Sequence, residues 1–217
     1  RELGARERVL VAPYLGYMRQ DIAFNPGEAV SQRIVGRFLA MLFETVIAVD
    51  PHLHRTGTLQ DALPAARTIA VAAAPLLPPL LARETGRPVL VGPDEESQQW
   101  VRAAAGDRYE WAVCRKKRNG DRDVEVALPS LDIRGRDVVL IDDIASTGRT
   151  LAQAARALSS AGAAVIDVFV THPVFAGDAV DVLHAAGVRR IWSSDTVPHP
   201  TNAVSVVDSL ASALRGL

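Results

Sequence analysis

The chain has 217 residues, of which 48% are hydrophobic, and its formal net charge is −1 at neutral pH. This length allows one large or two small domains, and the balanced charge argues against a nucleic-acid binder that works by bulk electrostatics. The single cysteine, Cys114, excludes an internal disulfide and a cysteine-based zinc site, as expected for a cytoplasmic protein. No apolar run approaches the ~20 residues that span a bilayer, so we expect no membrane partner.

Apolar runs typical of strands alternate along the chain with helical periods, which indicates an α/β fold with mostly parallel sheets flanked by helices. The predicted strands cover residues 8–12, 45–49, 67–72, 88–91, 109–113, 124–128, 138–141, 164–170 and 190–193. The predicted helices cover residues 31–43, 76–84, 96–105, 151–161, 177–186 and 208–214. Three prolines, Pro75, Pro78 and Pro79, accompany the second helix, and we place a domain boundary near residue 74.

The most informative stretch is 138–151, which reads VVLIDDIASTGRTL. A predicted buried strand is followed by two carboxylates, Asp142 and Asp143, and then by a turn before a predicted helix. The small and hydroxyl-bearing residues of this turn are Ser146, Thr147, Gly148 and Thr150. Such a turn offers backbone N–H groups, hydroxyls and the positive end of a helix to a phosphate.

The paired carboxylates suit the rest of a phosphorylated sugar. They can accept hydrogen bonds from vicinal ribose hydroxyls, directly or through a metal. The alternative is an ordinary strand-to-helix turn in which a Ser or Thr caps the helix.

Four other polar segments precede this stretch. They are residues 13–31 (PYLGYMRQDIAFNPGEAVS), Asp50-Pro51-His52, Gly92-Pro93-Asp94, and the basic run 115–122 (RKKRNGDR). With these segments in this order, the chain resembles the ribose-phosphate pyrophosphokinases, or phosphoribosyl-pyrophosphate (PRPP) synthetases. Residues 13–31 contain a segment similar to their Tyr-x-Arg-Gln-Asp segment, which ordinary phosphoribosyltransferases lack. The motif Asp-Asp-Ile-x-Ser-Thr-Gly is similar to that of their archaeal-like branch.

The resemblance implies two phosphoribosyltransferase-like lobes, of which the first is truncated. Residues 1–74 would be the remainder of an N-terminal, ATP-binding domain. Residues 75–217 would form a C-terminal domain with the ribose 5-phosphate loop, and its last helix could pack on the first domain. The chain opens without methionine and reaches its first apolar run almost at once, so we expect a leading part to be missing.

The resemblance also implies an activity, the transfer of pyrophosphate from MgATP to the 1-hydroxyl of ribose 5-phosphate, which gives PRPP and AMP. Mg²⁺ would be the cofactor, ATP and ribose 5-phosphate the ligands, and the assembly a homo-oligomer, either a dimer or larger. Neither nucleic acid nor membrane would be a partner.

Residue roles follow from the same resemblance. The ribose 5-phosphate ligands would be Asp142, Asp143, Ser146, Thr147, Gly148 and Thr150. The ATP-binding residues would be Arg19, Gln20 and Asp21, and the metal contacts would be His52 and Asp94. Lys116 and Arg118 would be catalytic, on a flexible basic loop that closes over the site and stabilises charge on the transferred group.

Two departures leave a second hypothesis open. Ile22 and Ala23 stand where many synthetases carry basic residues, and Glu95 and Glu96 follow Asp94 where many have small ones. Carboxylates beside a polyphosphate repel it unless a cation intervenes. The chain could therefore be a catalytically weak homologue that binds ribose phosphate and nucleotide as a regulatory or structural subunit. A base-specific phosphoribosyltransferase is disfavoured, since no separate segment for recognising a base is visible.

Overall fold

The computed structural model describes residues 3–64, 66–84, 87–119, 123–127 and 131–217, with only the backbone for 84, 116–119 and 123–127. The chain divides into two compact units, Arg1–Ala72 with Val206–Leu217, and Ala73–Ser205. The strands are β1 (Val9–Ala12), β2 (Thr45–Val49), β3 (Arg67–Val71), β4 (Val89–Gly92), β5 (Trp111–Val113), β6 (Arg115–Asn119), β7 (Asp123–Ala127), β8 (Asp137–Ala145), β9 (Val165–Pro173), β10 (Arg190–Ser194) and β11 (Asn202–Val204). The helices are α1 (Ser31–Leu42), α2 (Leu59–Ala62), α3 (Leu77–Glu84), α4 (Gln98–Ala105), α5 (Arg149–Ser160), α6 (Ala179–Ala185) and α7 (Val207–Arg215).

The first unit is built on a parallel sheet with the strand order β1-β2-β3. Every residue of the central strand β2 is buried, as expected for a parallel strand covered on both faces. Its hydrophobic core joins β2 to α2 and to the segment after β1, through Val46, Leu59, Leu63 and Met18. The last helix, α7, packs on β2 and β3.

The second unit is built on a parallel sheet with the strand order β11-β10-β9-β8-β4-β5. Alternate residues of β8 supply the two cores: Val138 and Leu140 pack with α5 and α6, while Val139 and Ile141 pack with α3 and α4. From β4 the chain runs outward to β5, and from β8 it runs the other way to β9, β10 and β11. The strand order thus reverses between β4 and β8, which in open α/β sheets is where the carboxyl ends of the strands form a ligand crevice.

The predicted fold class is confirmed, and all the predicted strands and helices exist. Several details of the prediction are wrong. The strand predicted over residues 138–141 extends to Ala145, so the two carboxylates lie within it, because β9 continues to pair with β8 as far as Pro173. The helix predicted from residue 151 begins at Arg149. Two short elements, α2 and β11, were not predicted.

The basic segment also differs from the prediction, which placed a flexible loop over 115–122. Residues Arg115–Asn119 form β6, which pairs antiparallel with β7. The alternation of Val124 and Val126 with acidic residues favours a strand, and a separate two-stranded ribbon tolerates basic residues because it need not bury a face in the main sheet. Residues 120–122 lie outside the described part of the chain. No helix among the described residues is long and apolar enough to cross a bilayer.

Candidate active site

Two adjacent carboxylates lie near the carboxyl end of β8. Asp143 is buried and 2% exposed, and its backbone N–H donates to Asp142 Oδ1 over 3.0 Å. Desolvation raises the pKa of the Asp142 carboxyl well above its usual range, and the nearby charges of Asp143 and then Asp94 raise that pKa further. The charges of Asp143 and Asp94 thus disfavour a further charge on Asp142, which favours a ligand that brings hydrogen-bond donors or a cation.

The turn that follows β8 begins α5 without a side-chain cap. Its N-cap residue is Gly148, at φ 69°, which has no side chain that could cap the first-turn N–H groups. The alternative, in which a Ser or Thr caps this helix, is therefore wrong. The uncapped N–H groups and the positive end of a 12-residue helix remain for an anion.

The turn rests on the start of α6. The backbone N–H of Ala176 donates to Ser146 O over 2.9 Å. A Cβ on Gly148 would lie 3.1 Å from Ala179 O and 3.3 Å from Leu183 Cγ, so both its backbone angle and its surroundings require glycine. Thr147 and Thr150 are exposed and Ser146 is half-buried, so the residues of the predicted phosphate turn can be reached by a ligand.

Asp94 follows β4 and shapes the neighbouring turn. Its Oδ1 accepts the N–H of Glu96 over 3.1 Å, and its carbonyl accepts from Ser97 Oγ over 2.6 Å. Asp94 therefore caps the short 3₁₀ turn Glu95–Ser97. Glu95 forms an exposed ion pair with Arg115 (3.3 Å), which partly offsets its charge.

Sequence analysis missed a buried polar network at the carboxyl ends of β9 and β10. His172 is 2% exposed and its Nδ1 lies 2.9 Å from Thr196 Oγ1, which in turn donates to Thr171 O over 2.8 Å. Ser194 Oγ donates to the same carbonyl over 2.6 Å. The run of hydroxyl residues after the β10 pattern was a usable signal, because the ends of parallel strands converge on one edge.

In the first unit, the Arg19-Gln20-Asp21 segment is held by buried contacts. Arg19 is exposed and Gln20 half-buried. Ser31 Oγ donates to Gln20 Oε1, while the Asp21 carboxylate is buried and forms an ion pair with Arg55 over 2.9 Å. Arg19 is thus open to a ligand, whereas the contact of Asp21 with ATP stays a prediction.

His52 lies in the loop after β2 and is half-buried, with its ring centroid 6.4 Å from that of His54. Within the described ranges, no group of three or more His, Cys, Asp and Glu side chains is arranged to hold a metal ion. The predicted metal contacts, His52 and Asp94, lie on different units. A cation bound at either one would therefore need further ligands from substrate or water.

The side chains of Lys116 and Arg118 lie outside the described part of the structure, so their catalytic role stays a prediction. Cys114, just before them, is buried in the core of the second unit. Desolvation, with a contribution from Asp94, raises the pKa of the Cys114 thiol to about 11. It is a packed side chain, as predicted, and not a nucleophile.

Comparison with known proteins decides the family. Residues 80–206 match the family model of the phosphoribosyl transferase domain. The ribose-phosphate pyrophosphokinase of Methanopyrus kandleri is 39% identical over 219 residues, covering 100% of this chain and 74% of that protein. This chain belongs to the ribose-phosphate pyrophosphokinase family.

Other members of the family agree in sequence and fold. The ribose-phosphate pyrophosphokinase of Halobacterium salinarum is 37% identical over 218 residues, covering 99% of this chain and 75% of that protein. The crystal structure of phosphoribosylpyrophosphate synthetase from Mycobacterium smegmatis superposes with a TM-score of 0.83 at 25% identity, over 98% of this chain and 72% of that one. The resemblance stated from the motifs, including the archaeal-like branch, is confirmed.

Proposed function

We propose that this chain is a ribose-phosphate pyrophosphokinase that converts ribose 5-phosphate and MgATP to PRPP and AMP. The 1-hydroxyl oxygen of the sugar attacks the β-phosphorus of ATP and loses its proton to solvent. The bond from that phosphorus to the oxygen bridging the α-phosphate breaks, and AMP leaves. The protein has little covalent chemistry to perform in this reaction, so its contribution to catalysis comes mainly from aligning the substrates and neutralising their charge.

The observation that carries the proposal is the end of β8. Asp142 and Asp143 stand beside an uncapped helix N-terminus with glycine at the required position. A sugar diol and its 5-phosphate would meet carboxylate acceptors and N–H donors on one continuous segment. Asp142 and Asp143 would hold the ribose hydroxyls, while Ser146, Thr147, Gly148 and Thr150 would hold the phosphate.

Mg²⁺ fits the chemistry of this edge. It prefers carboxylate, phosphate and water oxygens and usually keeps several waters. The crowding of Asp142, Asp143 and Asp94, expressed in the raised pKa of Asp142, would be relieved by a divalent cation. When bound, the ion would neutralise polyphosphate charge. Asp94 would contact a cation in the second unit, and His52 would contact one in the first.

The remaining roles follow the family motifs. Arg19 and Gln20 would contact ATP, and Lys116 and Arg118 would stabilise charge on the transferred group. Replacement of Lys116 or Arg118 by alanine should depress turnover far more than it depresses ribose 5-phosphate affinity. A cytoplasmic location and a homo-oligomeric assembly stay predictions.

The deciding experiment is an AMP-release assay with ribose 5-phosphate omitted as the control. AMP formation that requires ribose 5-phosphate, ATP and Mg²⁺ together supports the proposal. The second candidate, a regulatory or structural homologue, draws on the exposed apolar pair Ile22 and Ala23 beside the predicted ATP contacts. Calorimetric binding of ribose 5-phosphate without any AMP release would favour that candidate instead.

A further inference from the structure

Two segments of the first unit, one with the proposed ATP contacts and one with a proposed metal contact, are joined to each other by side-chain contacts. The first, residues 17–21, includes Arg19 and Gln20, and the second, residues 50–56, includes His52. Arg55 Nη1 lies 2.9 Å from Asp21 Oδ1 and forms an ion pair across the two segments.

A buried glutamine makes the second connection. Gln32, at the start of α1, is 2% exposed. Its Nε2 donates to Met18 O over 3.2 Å, its Oε1 accepts from Thr56 Oγ1 over 2.8 Å, and its backbone N–H donates to Gln20 O over 3.1 Å. One residue of α1 therefore bonds to both segments at once.

Each segment opens on a residue in an unfavourable backbone conformation. Among the described residues, Tyr17 (φ 66°) and Asp50 (φ 33°) are the two non-glycine residues with positive φ. Such conformations persist only when the surrounding structure over-determines them, and they cluster at binding sites. The contacts of Gln32 and Arg55 fix residues 18, 20 and 21 of the first segment and residues 55 and 56 of the second.

The ion pair between Arg55 and Asp21 is not an arrangement that maximises stability. The Asp21 side chain is fully buried while Arg55 remains 40% exposed, and Asp21 Oδ2 has no hydrogen-bond partner among the described residues. A buried carboxylate with one unsatisfied oxygen is inferior to an apolar pair of similar volume, and such pairs can instead serve to fix one conformation. What this pair does fix is the spacing of residues 17–21 from residues 50–56.

We infer that Asp21, Arg55 and Gln32 are positioning residues that hold the nucleotide-binding segment and the His52 loop at a fixed spacing. The inference rests on the proposed ATP site, and it gives Asp21 a role through Arg55 in place of direct contact with ATP. Arg19 and Gln20 then meet the nucleotide, and His52 its cation, from preorganised positions, which lowers the ordering cost of binding.

The test compares Arg55→Gln with Arg8→Gln. Arg8 forms a partly exposed ion pair with Glu44 (2.8 Å) in the same unit and touches neither segment, so its variant is the matched control. Arg55→Gln should speed backbone hydrogen exchange in residues 18–21 and 52–56 together, by about tenfold or more, while Arg8→Gln leaves both unchanged. Unchanged exchange in Arg55→Gln would overturn the inference.

Kinetics separate positioning from general destabilisation. Arg55→Gln should raise the KM for ATP by about tenfold with little change in kcat or in the KM for ribose 5-phosphate, and Arg55→Lys should partly rescue it. The double variant Asp21→Asn/Arg55→Gln, which leaves no unpaired buried charge, should regain thermal stability but not the ATP KM. Equal loss for both substrates, or an ATP KM that recovers with the melting temperature, would refute positioning. If the wild-type chain releases no AMP, the proposed function fails, and the exchange comparison alone decides this inference.

Discussion

A methyl group at Gly148 tests the phosphate turn directly. Gly148 and Gly177 both have positive φ, 69° and 60°. A Cβ on Gly148 would lie 3.1 Å from Ala179 O and 3.3 Å from Leu183 Cγ, whereas a Cβ on Gly177 would meet nothing within 4 Å. The two Gly→Ala variants therefore share the backbone penalty and differ in the contact.

The expected magnitudes follow from those two terms. Alanine in the left-handed region costs roughly 1–2 kcal/mol, and forcing an extra methyl into a packed site adds ~1 kcal/mol or more. Gly148→Ala should thus lower the free energy of unfolding by about 1 kcal/mol more than Gly177→Ala. Because the turn would shift, ribose 5-phosphate affinity should fall about tenfold, equivalent to ~1.4 kcal/mol.

Urea unfolding followed by circular dichroism measures the first quantity, and calorimetric titration with ribose 5-phosphate measures the second. Equal destabilisation by the two variants would mean that α6 shifts without cost to accommodate the added methyl group, so that its close contact with Ala179 and Leu183 does not affect stability. Wild-type affinity in a folded Gly148→Ala variant would remove this turn from phosphate binding.

Three further changes test the electrostatics and the core. Because the pKa of Asp142 is raised, the folded state holds the proton of this carboxyl more tightly than the unfolded state does, so the group's contribution to stability falls as pH rises from ~3.9 toward the folded pKa. Asp142→Asn should therefore raise the melting temperature above that of the wild type by more at pH 7 than at pH 4, and it should weaken ribose 5-phosphate binding about tenfold. The same melting-temperature difference at both pH values would contradict this. Cys114, with its pKa raised to about 11, should react with a thiol reagent at pH 8 only after denaturation, and rapid native labelling would refute its burial. Asp167→Ala removes a carboxylate that is 1% exposed and accepts from the Arg189 guanidinium and from the Arg190 N–H. Because Arg189 is 42% exposed and stays solvated, the variant should lower the free energy of unfolding in urea by about 1–3 kcal/mol, against ~0–1 kcal/mol for the exposed Asp132→Ala. Equal losses would show that the Asp167 pair behaves like a surface pair.

The strand periods predicted the sheet architecture because apolar side chains must alternate between two covered faces. The stretch over residues 138–151 pointed to the proposed phosphate turn through its residue types, since glycine before a helix together with small hydroxyl residues suits an anion. Where the strand ended could not be predicted. Asp142 and Asp143 are poor strand residues by propensity, and only pairing with β9 carries β8 through them.

The loop predicted over the basic run was wrong for a related reason. Four consecutive basic residues are typical of a solvated segment, and only antiparallel pairing with residues 123–127 makes them a strand. The catalytic roles of Lys116 and Arg118 stay predictions. Likewise, Arg55 carries no motif, and His172 gave no signal by itself. The role of each depends on a partner that lies far away along the chain. Arg55 pairs with Asp21, and His172 pairs with Thr196.

The sequence by itself determined the order of the motifs, the α/β class and which polar residues follow the apolar part of β8, because these depend on residue type and local spacing. The tertiary structure decided how charges are shared: which carboxylate is desolvated, which is paired, and which segments are bound together. Desolvation and ion pairing depend on distances between residues remote in sequence, and no local pattern encodes those distances.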